Sequence, residues 1–265
     1  MNIRRQKEKD WILREKYNGL ATTSFEADLK RLASGEPVAY IIGFVDFLGC
    51  KIDLSEKPLI PRPETEYWTE HVIAEINKRN TIMTTVTKVL LPVNCLDIFS
   101  GSGCVGLAIL KNVPNSKVVF VEKSTRFCRQ IEKNLELNGI AKERYQIVRA
   151  NIFRPIGGET FTIDKFDYIL ANPPYIPLER KDKLDKSVID WEPDEALFTK
   201  DDGLLIIKRF LSEVKEHLNQ DGQIWLEFDI SQNLKIKGLL TKGGFTDIVF
   251  RKDQYSRWRF VTFKI

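Results

Sequence analysis

The chain has 265 residues, 43% of them hydrophobic and 29% charged, and its 41 Lys+Arg exceed its 37 Asp+Glu by a formal net charge of +4. This length can bury a core without disulfides, and the composition is too apolar for a disordered chain. The charge is smaller than a dedicated nucleic-acid binder usually concentrates. No apolar run approaches the ~18–20 residues of a membrane span, and the start of the chain does not resemble a secretory signal.

The cysteines and histidines indicate neither a metal site nor a disulfide framework. The four cysteines form no C-x-x-C pair, and the two histidines lie far apart in the sequence. We therefore expect reduced thiols, no metal and a cytoplasmic setting.

The first 89 residues predict two short helices, a hairpin and a longer helix. Residues 5–18 form a basic amphipathic helix whose charges we interpret as a solvated face. Thr23 with Glu26 resembles a capping box for the second helix. Residues 44–54 alternate as a hairpin does, and prolines placed before acids in residues 61–66 mark the start of the longer helix.

From residue 93 onward, strands alternate with helices, which predicts a parallel sheet covered on both faces. The two strands of the tail, separated by a short polar turn, should pair as an antiparallel hairpin at the end of that sheet. This arrangement is that of class I methyltransferases, by analogy of fold alone. The predicted strands are Val93–Phe99, Val118–Glu122, Tyr145–Ala150, Tyr168–Ala171, Gln223–Phe228, Thr246–Phe250 and Trp258–Phe263, and the predicted helices are 103–112, 124–138 and 203–218.

A glycine-containing turn between the first of these strands and its helix is one candidate binding site. Glycines there let the backbone approach a ligand and leave the helix N-terminus facing it. Glu122 ends the next strand, 25 residues after Asp97, where a carboxylate can accept both hydroxyls of a ribose. The alternative is a tight turn beside a solvated acid. The turn is Asp97-Ile98-Phe99-Ser100-Gly101-Ser102-Gly103.

A second candidate, Asn172-Pro173-Pro174-Tyr175, follows the strand that ends at Ala171. Two prolines donate no backbone hydrogen bond, so the loop presents mainly carbonyl acceptors. A planar NH2 group would fit there, with the Asn172 side chain and the Pro173 carbonyl accepting its two protons. The alternative is a proline-stiffened turn. Because both motifs follow strands of one parallel sheet, they can share a cleft at its carboxyl edge.

The two motifs together resemble methyltransferases that modify planar nitrogens of adenine, cytosine or glutamine with S-adenosylmethionine. Four further segments narrow the resemblance to the PrmC/HemK family, the N5-glutamine methyltransferases of peptide chain release factors, from about residue 35 to the C-terminus. The segments are Gly35-Glu36-Pro37-Val38-Ala39-Tyr40-Ile41-Ile42-Gly43, Leu59-Ile60-Pro61-Arg62-Pro63-Glu64-Thr65-Glu66, Trp191-Glu192-Pro193-Asp194-Glu195-Ala196-Leu197 and Asp202-Gly203-Leu204.

The resemblance implies methyl transfer from S-adenosylmethionine, with S-adenosylhomocysteine as product, to the glutamine of the Gly-Gly-Gln motif in class I release factors. Asn172, Pro173, Pro174 and Tyr175 would bind this glutamine and carry catalysis, and Arg62 would shape the cleft unless it is simply an exposed arginine. Glu192 and Glu227 are expected to be supporting residues. The cofactor-binding residues implied are Asp97, Phe99, Ser100, Gly101, Ser102, Gly103, Glu122, Asn151, Ile152 and Asn172.

Three departures from the family pattern stand out. Phe99 replaces the usual glycine, so we expect this turn to use an ordinary conformation or to lose a cofactor contact. Asn151 replaces an aspartate and could accept a hydrogen bond without the charge. The N-terminal region, 1–34, is shorter than the family's helical domain; the linker with hairpin and helix would be 35–89 and the methyltransferase domain 90–265.

Other functions remain open. The chain could methylate adenine N6 in DNA or RNA, although its basic residues are interleaved with acids. It could modify a glutamine of a ribosomal protein, or be a cofactor-binding scaffold with a degraded site. We expect a monomer whose protein substrate is the release factor, with no stable nucleic-acid or membrane partner.

Overall fold

The computed structural model describes residues 3–158, 160, 161 and 165–265, so Met1 and Asn2 of the predicted N-terminal region and residues 159 and 162–164 of the predicted methyltransferase domain lie outside the described residues. The helices are α1 (Ile3–Tyr17), α2 (Thr23–Ala33), α3 (Val38–Ile42), α4 (Pro63–Thr87), α5 (Cys104–Asn112), α6 (Thr125–Leu137), α7 (Lys186–Trp191), α8 (Asp194–Leu197), α9 (Leu205–Glu213) and α10 (Asn233–Lys242). The strands are β1 (Phe44–Phe47), β2 (Cys50–Asp53), β3 (Val93–Ile98), β4 (Ser116–Glu122), β5 (Tyr145–Asn151), β6 (Arg154–Pro155), β7 (Phe166–Ala171), β8 (Ile176–Pro177), β9 (Phe198–Thr199), β10 (Leu218–Glu227), β11 (Thr246–Lys252) and β12 (Trp258–Lys264).

A mostly parallel sheet organises the chain from β3 onward, which confirms the predicted class I methyltransferase fold. Within the described residues its strand order is β11-β12-β10-β7-β3-β4-β5-β6. Strands β10, β7, β3, β4 and β5 run parallel, and β12 pairs antiparallel with both β10 and β11. Strand β3 lies between β4 and β7: the chain continues from β3 to β4 on one side, and the later strand β7 pairs with β3 on the other. The carboxyl ends of these three strands therefore border one crevice.

Helices cover both faces of this sheet, as alternating strands and helices require. One core contains Trp68 and Val72 of α4 together with residues of α5 and α6. The other contains Ile207 and Phe210 of α9 together with residues of α10. Strand side chains alternate between the two cores: Cys95 enters the first, and Leu96 the second.

The N-terminal helices build a separate cluster of buried side chains, formed by Ile12, Phe25, Leu32, Ile41 and Ile42. A buried carboxylate on α2 connects its parts. Asp28 accepts a hydrogen bond from Lys16 at 2.6 Å and pairs with Arg31 at 2.8 Å, and Arg31 also reaches Glu36.

Two local predictions need correction. The N-cap of α2 is Thr22, whose side chain accepts a hydrogen bond from the Phe25 amide at 3.2 Å, so the capping box placed at Thr23 was wrong by one residue. Helix α10 was not predicted, although its Ile236 and Leu240 are buried. The predicted hairpin of residues 44–54 is confirmed as β1 and β2, and the antiparallel tail as β11 and β12. In the described part of the chain, no helix is long and apolar enough to cross a membrane.

Candidate active site

Three glycines shape the turn after β3 and the start of α5, and one of them was not predicted from the sequence. Gly101 and Gly103 take left-handed φ values of 55° and 77°. Gly106 completes a G-x-G-x-x-G pattern that was visible in the sequence. A Cβ on Gly106 would lie 2.4 Å from the Phe120 ring, so only glycine lets α5 approach β4 this closely.

Asp97 lies at the base of this turn. It is 3% exposed, and one carboxylate oxygen accepts a hydrogen bond from the Gly106 amide at 2.9 Å. Burial raises the pKa of Asp97 to about 7, and the nearby Glu122 carboxylate adds to the rise. A cation bound in the crevice would therefore favour the ionised form of this group.

Glu122, at the end of β4, braces the same turn. Its Oε2 accepts a hydrogen bond from the Gly101 amide at 2.9 Å, and its Oε1 accepts one from the Ser124 amide at 2.8 Å. Burial raises the pKa of Glu122, while these backbone donors oppose the rise. Each oxygen of an ionised carboxylate has a second lone pair, so both can still accept a hydroxyl from the crevice.

The Asn172–Tyr175 loop is held at its two ends by one buried carboxylate. Glu227 is 1% exposed; its Oε1 accepts a hydrogen bond from the Tyr175 hydroxyl at 2.9 Å, and its Oε2 accepts one from the Thr65 hydroxyl at 2.7 Å. The Nδ2 of Asn172 in turn donates to Thr65 Oγ1 at 3.2 Å. Burial raises the pKa values of Glu227 and Tyr175, and the hydrogen bond between them satisfies both buried polar groups.

The carbonyl side of the loop is held by Gln232 and Gly203. Gln232 Nε2 donates to the Tyr175 and Asp202 carbonyl oxygens, each at 2.9 Å. Gly203 has a φ of 80°, and a Cβ there would lie 2.0 Å from the Tyr175 carbonyl oxygen. The Asp202-Gly203-Leu204 segment therefore packs directly against the Asn172–Tyr175 loop.

Arg62 faces the same crevice from the N-terminus of α4. Its guanidinium donates to Glu192 Oε1 at 2.6 Å, while Glu192 Oε2 accepts a hydrogen bond from the Ile60 amide at 3.1 Å. Glu192 is 5% exposed, so this is a buried carboxylate with charged and backbone partners. The alternative of a simply exposed arginine does not describe Arg62.

These elements enclose a cleft of about 220 Å³. Among the described residues, every predicted site residue lines this cleft except Gly103, Pro173 and Tyr175. Several other residues that were not predicted also line the cleft, among them Leu59, Thr65, Ile206 and Arg209. No motif marks Ile206 or Arg209, because they reach the cleft through the packing of α9 into the second core.

Two non-glycine residues of the cleft have left-handed backbone conformations. Phe99 has a φ of 64° and Ile152 a φ of 62°. Phe99 therefore does not take an ordinary conformation, and the other expected outcome, the loss of a cofactor contact, stays a prediction. Its ring packs edge-on against Phe210, with centroids 6.1 Å apart, and this contact offsets part of the steric cost.

Comparison with solved structures places the fold among methyltransferases. The chain resembles a methyltransferase from Pyrococcus furiosus, with a TM-score of 0.53, 19% identity, and coverage of 89% of this chain and 96% of that one. It also resembles a ribosomal protein L11 methylase from Lactobacillus delbrueckii subsp. bulgaricus, with a TM-score of 0.52, 20% identity, and coverage of 80% and 83%. A family model described as "Conserved hypothetical protein 95" matches residues 76–233.

Relatives identified by sequence indicate a more specific family than the solved structures do. The chain is 30% identical to a protein named release factor glutamine methyltransferase from Flavobacterium psychrophilum, over 93% of this chain and 81% of that protein. It is 33% identical to one of the same name from Francisella tularensis, over 84% and 72%. A Lactococcus lactis protein of this name is 28% identical over 99% and 91%. The chain belongs to the release factor glutamine methyltransferase family, also called PrmC/HemK.

Proposed function

We infer that this protein transfers a methyl group from S-adenosylmethionine to the side-chain nitrogen of the glutamine in the Gly-Gly-Gln motif of a class I release factor. One observation carries the proposal. Asn172 and Pro174, from a loop rich in acceptors, line the same cleft as Gly101 and Glu122. A nucleotide-like cofactor and a planar NH2 group can therefore meet in one crevice.

The cleft residues fit S-adenosylmethionine by their chemistry. Glu122 retains acceptor capacity for two ribose hydroxyls. Asn151 offers an amide and Ile152 an apolar face to an adenine ring, and both line the cleft. Asp97 offers a buried carboxylate to a cationic group.

S-adenosylmethionine, when bound, supplies a methyl group on a positively charged sulfur. An amide nitrogen is a weak nucleophile because its lone pair is delocalised, so orientation and electrostatics must provide the rate enhancement. The Asn172 side-chain oxygen would bind an amide proton more tightly as the nitrogen gains positive charge, whereas Pro173, the second expected acceptor, is not among the residues that line the cleft. Tyr175, which does not line the cleft and whose hydroxyl donates to Glu227, would help to orient the substrate amide only by holding the loop in place. The amide proton becomes acidic as the new bond forms and can leave to water.

A methyl-transfer assay with radiolabelled cofactor tests the substrate. The assay would compare a purified class I release factor, its variant with the motif glutamine changed to alanine, a ribosomal protein, DNA and RNA. We expect label only in the intact release factor. Label in the glutamine-to-alanine variant, the ribosomal protein or a nucleic acid would contradict the proposal.

The division of roles in the cleft gives a second test. Asn172→Ala should lower the turnover number by roughly 100-fold, because an acceptor that binds the transition state is lost. Cofactor affinity, measured by calorimetry, should fall far less than turnover, because Asn172 is only one of the expected cofactor contacts and Glu122 and the glycine turn are untouched. Equal losses of turnover and of cofactor affinity would contradict this division.

A further inference from the structure

We propose that Thr65 is a positioning residue that fixes the direction of the Asn172 side-chain amide, so that its oxygen and not its nitrogen faces the cleft. The proposal rests on the proposed function, since it concerns how the same loop receives a planar NH2 group. Thr65 lies in the first turn of α4, is 2% exposed, and is 107 residues away from Asn172 in the sequence.

The donors and acceptors of this hydrogen-bond chain can be assigned starting from Glu227. Its Oε2 lies 2.7 Å from the Trp68 indole nitrogen and 2.7 Å from Thr65 Oγ1. An indole N–H can only donate, and a hydroxyl has a single proton. With Glu227 ionised, the state that its hydrogen-bond donors Trp68, Thr65 and Tyr175 favour, the Thr65 proton is directed to this carboxylate, which leaves Thr65 Oγ1 only lone pairs for its remaining neighbour.

That neighbour is the Asn172 amide, 3.2 Å away. Because Thr65 Oγ1 can only accept there, the group facing it must be the NH2 of Asn172. The Asn172 oxygen then lies at the opposite end of the planar amide group from Thr65, and Asn172 lines the cleft.

The orientation of the Asn172 amide requires a hydrogen-bond partner, because shape alone cannot set it. The oxygen and the NH2 group of an asparagine are nearly equal in size, so a rotated amide would pack equally well. A rotated Asn172 would present donors to a substrate NH2 group that is also a donor, and the substrate would lose an acceptor. The Thr65 hydroxyl penalises this rotation, since the Asn172 oxygen would then face a lone pair.

Three single substitutions test the proposal in steady-state methylation of a release factor. Thr65→Val keeps the shape but removes the hydroxyl, and we expect it to lower the turnover number roughly tenfold with the release factor KM and the cofactor dissociation constant within about twofold. Thr65→Ser restores a hydroxyl and should keep turnover within about threefold of wild type. Thr69→Val is the matched control, because it removes another fully buried hydroxyl of α4, one that donates to the Thr65 carbonyl oxygen.

A double-mutant cycle separates positioning from general structural damage. If Thr65 acts through Asn172, Thr65→Val should lower turnover little further once Asn172→Ala is present. Full additivity of the two losses would overturn the proposal, as would wild-type turnover in Thr65→Val or equal losses in Thr65→Ser and Thr65→Val. If Thr65→Val loses cofactor binding, the turnover of Thr65→Ser tests the proposal in its place. Absence of methylation by the wild-type protein would instead contradict the proposed function itself.

Discussion

Backbone strain marks the cleft at the scale of single residues. Phe99 and Ile152 both have left-handed conformations and both line the cleft. For a β-branched or bulky side chain this conformation is rare and unfavourable, and such residues concentrate at functional sites. At residue 99, where the family pattern has glycine, a phenylalanine thus holds a left-handed conformation that glycine adopts readily, with its ring packed against α9.

The raised pKa of Asp97 predicts a pH-dependent cofactor affinity. Below about pH 7 the buried carboxyl is protonated, and the two positive charges of S-adenosylmethionine favour its ionised form. Binding should therefore release a proton, and affinity should rise as the pH increases through about 7 and then level off. Calorimetry at several pH values checks this.

Asp97→Asn is the matched variant for this measurement. An asparagine oxygen can still accept the Gly106 amide hydrogen bond, but it does not titrate. The variant should bind the cofactor with weaker dependence on pH across the same range. A wild-type affinity that is constant from pH 6 to pH 8 would contradict the role assigned to Asp97.

At the scale of elements, Gly203 makes the segment before α9 fit against the Asn172–Tyr175 loop. Gly203→Ala places a methyl group 2.0 Å from the Tyr175 carbonyl oxygen and 2.5 Å from Gln232 Nε2, at a φ of 80°. We expect it to lower the free energy of unfolding by more than about 2 kcal/mol, because backbone and loop must both move. Urea denaturation measures this, and turnover should fall with it.

Gly238→Ala provides the control. Gly238 lies inside α10, where an added Cβ meets nothing within 4 Å, so alanine should raise the free energy of unfolding by about 0.5–1 kcal/mol. Equal effects of the two substitutions would show that the close approach at Gly203 is unimportant.

Local patterns predicted most elements of this chain, and a long-range contact explains why Thr65 was missed, whereas helix α10 was missed despite a local pattern. Alternating strands and helices from residue 93 indicated the sheet, and the turns after β3 and β7 were located from their glycines and prolines. Thr65 carries no local signal, because its partner Glu227 is 162 residues away. Helix α10 was missed although the sequence contains buried positions three to four residues apart, such as Ile236 and Leu240.

At the scale of the whole molecule, the cleft and the N-terminal region are built from different parts of the chain. None of the described cleft-lining residues comes from α1 or α2. The N-terminal cluster has its own buried side chains. Arg31 of α2 pairs with Glu36, which also pairs with Lys57, and the Lys57 ammonium lies 4.6 Å from the Trp191 ring centroid. The short N-terminal region is thus joined to the segment before Glu192 without contributing to the cleft.

This separation leads to a prediction about docking. If the basic face of α1 is a solvated one, reversing its charges should leave the release factor KM within about twofold, since exposed charges far from a partner contribute little. Arg5 and Lys7 are exposed, so Arg5→Glu combined with Lys7→Glu tests the face without disturbing the Ile12 cluster. Trp11→Ala, at a side chain 44% exposed on the same helix, tests an apolar contribution. The charge reversal would instead identify α1 as the docking surface if it raised the release factor KM more than about tenfold, left cofactor affinity unchanged and removed the salt dependence of KM.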